Sequence, residues 1–116
     1  MINFTFVNLV QDGCSPLEHR MVVSEVQNHF SKIFPDSSFL LFNAVVDSEE
    51  TLSILQNQSQ FSDILFVVGN AANTLLSGVA RSLHSRALVL SVPCALQELN
   101  YHIPGLEAEV RKQLNS

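Results

Sequence analysis

The sequence predicts an α/β fold, a single three-layer, doubly wound domain built on a four-stranded, mostly parallel sheet. Apolar runs of strand length alternate with segments in which apolar residues recur every three or four positions, in the order βαβαβαβα. Strands two to four are nearly continuous apolar runs, which is typical of parallel strands covered on both faces. The 116 residues suffice for one domain, so we expect residues 1–116 to form a single unit.

Each element has its own start and stop signals. Ser15 followed by Pro16 is typical of a helix N-terminus, and Pro35 ends the helical spacing that follows. Glycine, proline and short polar clusters separate the other elements. The expected strands cover residues 2–10, 38–46, 63–68 and 87–92, and the expected helices cover residues 15–34, 47 or 48 to 55, about 71–85, and 105–114.

Two segments fall outside the expected elements. Residues 56–60 are five consecutive polar side chains, which we interpret as a surface connection. Residues 93–102 give no decisive pattern, and Pro104 is interpreted as the residue that opens the last helix. We therefore expect that helix to be short.

The composition limits the partners of the protein. Charged residues make up 15% of the chain and hydrophobic residues 47%, so few charges are available to cover a monomer and we expect a homo-oligomer. The net charge of −5 argues against binding to nucleic acid and to anionic membrane surfaces. With no basic segment before the N-terminal apolar run, and no apolar stretch of about 20 residues, we expect a cytoplasmic protein without a membrane span.

The two cysteines, Cys14 and Cys94, stand 80 positions apart. Because the sequence contains no CxxC pair and no local cluster of cysteine and histidine, we expect no metal site and no cofactor, with both residues as thiols in a reducing compartment. Cys14 lies close to a predicted helix start, a position that lowers a thiol pKa. No histidine is adjacent in sequence, so a catalytic thiol is not the favoured interpretation.

In a doubly wound sheet, ligands bind at the carboxyl ends of the strands, near the point where strand order reverses. The loop after the third strand carries the strongest signal, because a glycine is followed by small and polar residues that enter a helix. We expect Gly69, Asn70, Asn73 and Thr74 to contact a ligand there. The alternative is that Gly69 only makes the turn and that the small residues permit tight packing.

The loop after the first strand is the second candidate. Ser15 and the backbone near Gly13 are suited to a phosphate or a ribose hydroxyl, and Asp12 is suited to a diol. The alternative is an ordinary turn with an Asp-Gly signal. Neither GxGxxG nor GxxxxGK[ST] is present, so the sequence shows neither a dinucleotide fingerprint nor a P-loop.

The histidines give weaker signals. His19, with Arg20 beside it, either reaches towards an anionic ligand or is solvated, and solvation is the favoured interpretation. His84 lies with Arg81 late in the third helix, away from the expected site. His102 is suited to lining a pocket or a subunit contact.

Part of this pattern resembles a known family. An apolar strand over residues 63–68 leads into a Gly-Asn-Ala-Ala loop that begins at Gly69, and the strand over residues 87–92 ends in Val-Pro. These features, within a similarity that covers about residues 1–95, resemble the PurE-type carboxyaminoimidazole ribonucleotide mutases of purine synthesis. The resemblance implies a flavodoxin-like or PurE-like sheet and a homo-oligomer with sites between subunits. It also places residues 12–15 where the family has a phosphate loop.

The sequence departs from the family where the family performs catalysis. The family's catalytic histidine and arginine positions read Val45 and Val46 here, and its loop histidine reads Asn73 or Thr74. Valine transfers no proton, so a member with this sequence keeps the fold and the pocket, including Val45 in its wall, and lacks the mutase reaction.

Three functions follow from these observations. The leading one is non-catalytic binding, by a homo-oligomeric Rossmann-like domain, of a small anionic, nucleotide-like ligand that is sensed or sequestered. The second is a divergent mutase, lyase or nucleotide-cleaving enzyme that uses Ser15, Asp12 or His19. The third is a protein-interaction module whose apolar surface is its function.

Overall fold

Four parallel strands form one sheet in the order β2-β1-β3-β4. The computed structural model describes residues 1–10, 13–45, 49–79 and 87–115. The predicted α/β fold with a parallel sheet is confirmed. In chain order the elements are β1 (Ile2–Val10), α1 (Pro16–Ile33), β2 (Ser37–Val45), α2 (Glu49–Phe61), β3 (Ile64–Val68), α3 (Ala72–Val79), β4 (Leu88–Val92) and α4 (Leu96–Leu114).

The helices cover the sheet in two layers. Alternate residues of a strand point to opposite faces, so Phe4 and Phe6 of β1 pack in one cluster with residues of α1 and α4. Val7 and Leu9 pack in a second cluster with residues of α2 and α3. Right-handed crossovers account for α1 lying opposite α2 and α3, because the connection from β1 to β2 runs in the opposite direction along the sheet from the two later connections. The last helix, α4, packs on the same side as α1.

The layer formed by α1 and α4 contains an aromatic cluster near the amino ends of the strands. Phe4 stacks on Phe39 with ring centroids 5.0 Å apart. Phe30 of α1 lies 5.5 Å from Phe4 and 5.4 Å from Phe66. Phe34 completes the group, with its ring 6.3 Å from that of Phe30. We call this set of five phenylalanines the aromatic cluster.

A half-buried group of polar side chains joins the same two helices beyond the aromatic cluster. Nε2 of His29 lies 2.7 Å from Oε1 of Glu107, and Nε of Arg111 donates to Oε2 of the same carboxylate at 3.1 Å. These hydrogen bonds, that of Arg111 first and that of His29 second, hold the pKa of Glu107 below its usual value. The carboxylate therefore links α1 to α4.

The second helix is longer than the sequence predicted. Residues 56–60, interpreted as a surface connection, lie within α2. Leu55 is fully buried and packs the helix against the sheet. Ser59 is also buried, and its Oγ donates a hydrogen bond to the carbonyl oxygen of Gln56 at 3.0 Å. Consecutive polar side chains are compatible with a helix whose outer side faces water.

The last helix is also longer than predicted. It begins at Leu96, and Pro104 lies inside it instead of opening it. The proline costs one backbone hydrogen bond, but the apolar face continues through it at spacings of three and four residues. Packing of that face holds the helix together. The series is Leu96, Leu99, Ile103, Leu106, Val110 and Leu114.

β2 differs from the expected doubly covered strand because it lies at an edge of the sheet. Leu40 and Leu41 point to opposite faces, and 55% and 52% of their surfaces are exposed. The apolar run that predicted burial on both faces is therefore partly on the surface. None of the helices in the described ranges is both long and apolar enough to cross a membrane.

Candidate functional site

The candidate site lies where the carboxyl ends of the strands meet the helix starts. β1 pairs with both β2 and β3, and the chain leaves β1 in one direction and reaches β3 from the other, so strand order reverses between β1 and β3. Gly13, after β1, adopts a φ of +96°, which favours glycine. A Cβ atom on Gly13 would stand 3.3 Å from Nδ2 of Asn70, which follows β3. The two loops of strongest signal therefore touch at this point.

A cleft of about 400 Å³ opens beside the end of β4, a size within the range of small-molecule sites. Three residues predicted to bind a ligand line it together. We call it the β4 cleft. The polar or flexible parts of its wall are Gly69, Asn70, Asn73, Ser91, Glu98 and His102.

The wall of the β4 cleft combines groups of different chemistry. Asn73 lies in the first turn of α3, where backbone N–H groups lack intrahelical acceptors and favour an anion. Glu98 and His102 are four residues apart on α4, so they share one side of that helix. The cleft thus offers donors at one side and a carboxylate acceptor at the other.

A second cleft, of about 640 Å³, lies between α1 and the β1–β2 pair. We call it the β1 cleft. Nδ2 of Asn8 donates to Oδ1 of Asn43 at 3.4 Å, but Oδ1 of Asn8 is buried with no hydrogen-bond partner among the described residues. The functional parts of its wall are Asn8, Cys14, His19, Arg20 and Asn43.

Three side chains converge at the wall of the β1 cleft. A sulfur atom each from Cys14 and Cys94 and one ring nitrogen of His19 lie within 4.8 Å of one another. Sγ of Cys14 donates to the carbonyl oxygen of Cys94 at 3.8 Å, and both cysteines are in the thiol form. The separation of 80 positions in sequence hid this cluster, because the topology brings the start of α4 beside the start of α1.

The favoured expectation that His19 is solvated is wrong. Only 4% of its surface is exposed, and its Nε2 is buried with no hydrogen-bond partner in the described part of the chain. The reason is helical spacing: His19 stands three and four residues before Val22 and Val23, on the face of α1 that packs on the sheet. Arg20, one position later, is exposed.

The other predicted residues have more ordinary positions. Ser15 is the N-cap of α1, and its Oγ accepts from the backbone N–H of Glu18 at 3.1 Å. Val45 ends β2 on the surface. Thr74 is exposed on α3 and is not among the described residues that line the β4 cleft. Asp12, Val46, Arg81 and His84 lie outside the described residues.

The sequence analysis missed several residues of the two clefts. Asn8 and Asn43 stand at matching positions of paired strands, and an amide inside an apolar run was the available signal. Glu98 lies in residues 93–102, for which the sequence gives no decisive pattern, although its spacing of four residues to His102 is typical of a helix. No sequence signal indicated that Cys94 and His19 lie close together, because their proximity depends on the three-dimensional arrangement of the elements.

Comparison with known proteins gives no match, either to a family model, to a curated protein or to a solved structure. The resemblance to PurE-type mutases therefore depends on the sequence segments alone.

Proposed function

We propose that the protein binds a small anionic, nucleotide-like ligand in the β4 cleft without transforming it. The observation that carries the proposal is the convergence of Gly69, Asn70 and Asn73 on one cleft at the carboxyl edge, the edge at which open α/β sheets bind ligands. Gly69, with a φ of 157°, leaves no Cβ between its backbone and the cleft. An approaching ligand can therefore contact the strand end directly.

The charges of the cleft favour a phosphate joined to a ribose. A phosphate against the first turn of α3 meets backbone donors and the positive end of the helix dipole. Glu98 is an acceptor for a vicinal diol, the role that a carboxylate has towards ribose in dinucleotide sites. Glu98 would repel a phosphate placed at α4, so the expected ligand lies with its anionic end towards Asn73.

Binding is favoured over catalysis because the described candidate catalytic residues either lie outside the β4 cleft or have a structural role. The Oγ of Ser15 accepts a hydrogen bond as an N-cap, and His19 is buried away from the β4 cleft wall. Val45 provides no proton donor or acceptor. We expect no turnover of aminoimidazole ribonucleotide carboxylates by the purified protein, and measurable turnover would contradict this view.

We also propose that the protein self-associates through the β2 edge. A nine-residue edge strand with Leu40 and Leu41 exposed presents an open edge of the sheet and apolar side chains, which a second copy would cover. Light scattering should give a multiple of the 12.8 kDa chain mass, and the Leu41→Lys variant should shift towards the chain mass. A wild-type protein with the mass of one chain would contradict self-association.

The ligand proposal is tested by isothermal titration with adenosine monophosphate, ribose 5-phosphate and inorganic phosphate. The Asn73→Asp variant adds a carboxylate where the phosphate is expected, while an acid in the first turn suits the helix dipole. It should weaken binding by about 10-fold or more with no loss of stability. Asn57→Asp, exposed on α2, makes the same change in net charge and should bind like the wild type.

The outcomes separate the possible functions. Binding lost in Asn73→Asp and kept in Asn57→Asp supports the β4 cleft. Equal binding by both variants contradicts the site, and no binding of any of the three probes by the wild type contradicts the function. Products found after incubation with a bound probe would show an enzyme instead.

A further inference from the structure

We propose that Cys14, His19 and Cys94 form a binding site for Zn²⁺, separate from the β4 cleft. Two thiolates and an imidazole are a soft donor set of the kind that zinc prefers among the divalent ions of biology. The proposal does not depend on the nucleotide-like ligand. It assigns a metal to a cluster that neither the spacing of the cysteines nor any match to a known family indicates.

The geometry needs only a small adjustment. Bond lengths of about 2.3 Å to sulfur and 2.0 Å to nitrogen, at tetrahedral angles, place ligand atoms about 3.5–3.8 Å apart. The three donor atoms here lie within 4.8 Å of one another without an ion. Side-chain movements of about 1 Å therefore bring the donor atoms to these separations.

His19 provides the independent evidence for a ligand at this place. Its side chain is nine-tenths buried or more, and its buried Nε2 has no hydrogen-bond partner among the described residues, which is energetically unfavourable. A metal bond removes that cost, because the neutral imidazole uses its lone pair on the ion. We assign Nε2 as the donor atom from this ring.

The two cysteines are placed to act as thiolates. Cys14 directly precedes Ser15, the N-cap of α1, and Cys94 directly precedes Ala95, the N-cap of α4. The positive ends of both helix dipoles therefore lie next to the two cysteines and favour negative charge there. Binding of Zn²⁺ releases the two thiol protons to solvent, and the resulting dithiolate–zinc unit is electrically neutral, which suits a buried site.

Three protein ligands leave the fourth position of a tetrahedral ion open. Cys14 and His19 belong to the wall of the β1 cleft, so that position faces this cleft and its volume of about 640 Å³. Oδ1 of Asn8 lies in the same wall as a second buried acceptor without a described partner. A water molecule on the ion can donate to such an acceptor, so we infer an exchangeable site and not a closed structural one.

Cobalt titration of the reduced 116-residue protein is the direct test. In buffer with a phosphine reductant, Co²⁺ should give thiolate-to-metal charge transfer in the near ultraviolet and the intense visible bands of tetrahedral cobalt. The signal should saturate at one ion per chain, and Zn²⁺ should displace it. A folded wild-type protein that gives no such bands, or only the weak bands of octahedral cobalt, overturns the proposal.

Variants then assign the ligands. Cys14→Ala, in a half-exposed loop, and His19→Gln should each weaken cobalt binding by about 100-fold or more, with circular dichroism confirming the fold. His29→Gln, on the same helix but outside the cluster, is the matched control and should bind like the wild type. Wild-type affinity in both Cys14→Ala and His19→Gln would overturn the assignment. These results do not depend on whether the β4 cleft binds a nucleotide.

Discussion

The two ends of the layer formed by α1 and α4 have opposite character. At the amino ends of the strands the aromatic cluster fills the layer with five rings. At the carboxyl ends the same helices cover Asn8, His19 and two thiols, and two buried polar atoms have no partner among the described residues. One end of the layer therefore supplies stability, while the other carries an energetic cost that a bound ligand would remove.

The largest expected change in the free energy of unfolding comes from a substitution within the aromatic cluster. Phe30→Ala should lower the free energy of unfolding by about 3–5 kcal/mol, because the fully buried ring contacts three other phenylalanines. Urea denaturation measures it. Phe61→Ala, at the exposed end of α2, removes the same atoms and should change stability by less than about 0.5 kcal/mol. Similar losses in both variants would show that the aromatic cluster is not the stabilising end.

A smaller change in the free energy of unfolding, of opposite sign, is expected from a substitution at His19, at the carboxyl end of the layer. His19→Leu removes a buried polar atom without a described partner, so the metal-free protein should become more stable by about 1 kcal/mol. His29→Leu on the same helix breaks the contact with Glu107 and should be destabilising. Urea denaturation in the presence of a chelator compares the two. A clear loss of stability in His19→Leu would contradict the idea that this histidine is kept for a ligand.

The smallest effect concerns the surface link between α1 and α4. The lowered pKa of Glu107 means that its carboxylate stabilises the fold at pH values above the unfolded pKa, near 4.5, and that this contribution disappears as the pH falls through the folded pKa. The stability difference between the wild type and Glu107→Gln should therefore be present at pH 7 and shrink below pH 4.5. Glu109→Gln, exposed on the same helix, is the control. A difference that does not change with pH would contradict the link.

Much of the fold could be predicted from the sequence, because strands and helices have local signals. The bounds of β1 and the cap at Ser15 agree with the structure. The predicted element bounds differ from the structure where a strong local signal competed with packing. Proline is common at helix starts, which favours a start at Pro104, but the apolar face of α4 continues through this residue.

The candidate site was predictable only in part. The topology rule located the carboxyl edge, and Gly69, Asn70 and Asn73 do share a cleft. The Cys–His cluster could not be predicted, since it depends on α1 and α4 lying on the same face of the sheet. That arrangement depends on how the apolar face of α4 packs against the sheet beside α1, which no local pattern of residues contains.

We expect ligands to bind at the carboxyl edge of the sheet, while the aromatic cluster at the amino edge stabilises the fold. Two-dimensional amide NMR during titration with adenosine monophosphate tests this expectation most directly. We predict chemical-shift changes centred on Gly69, Asn70, Asn73 and His102, with signals of Phe30 and Phe39 unmoved. Changes centred on the aromatic cluster, or none at saturating nucleotide, would contradict the claim.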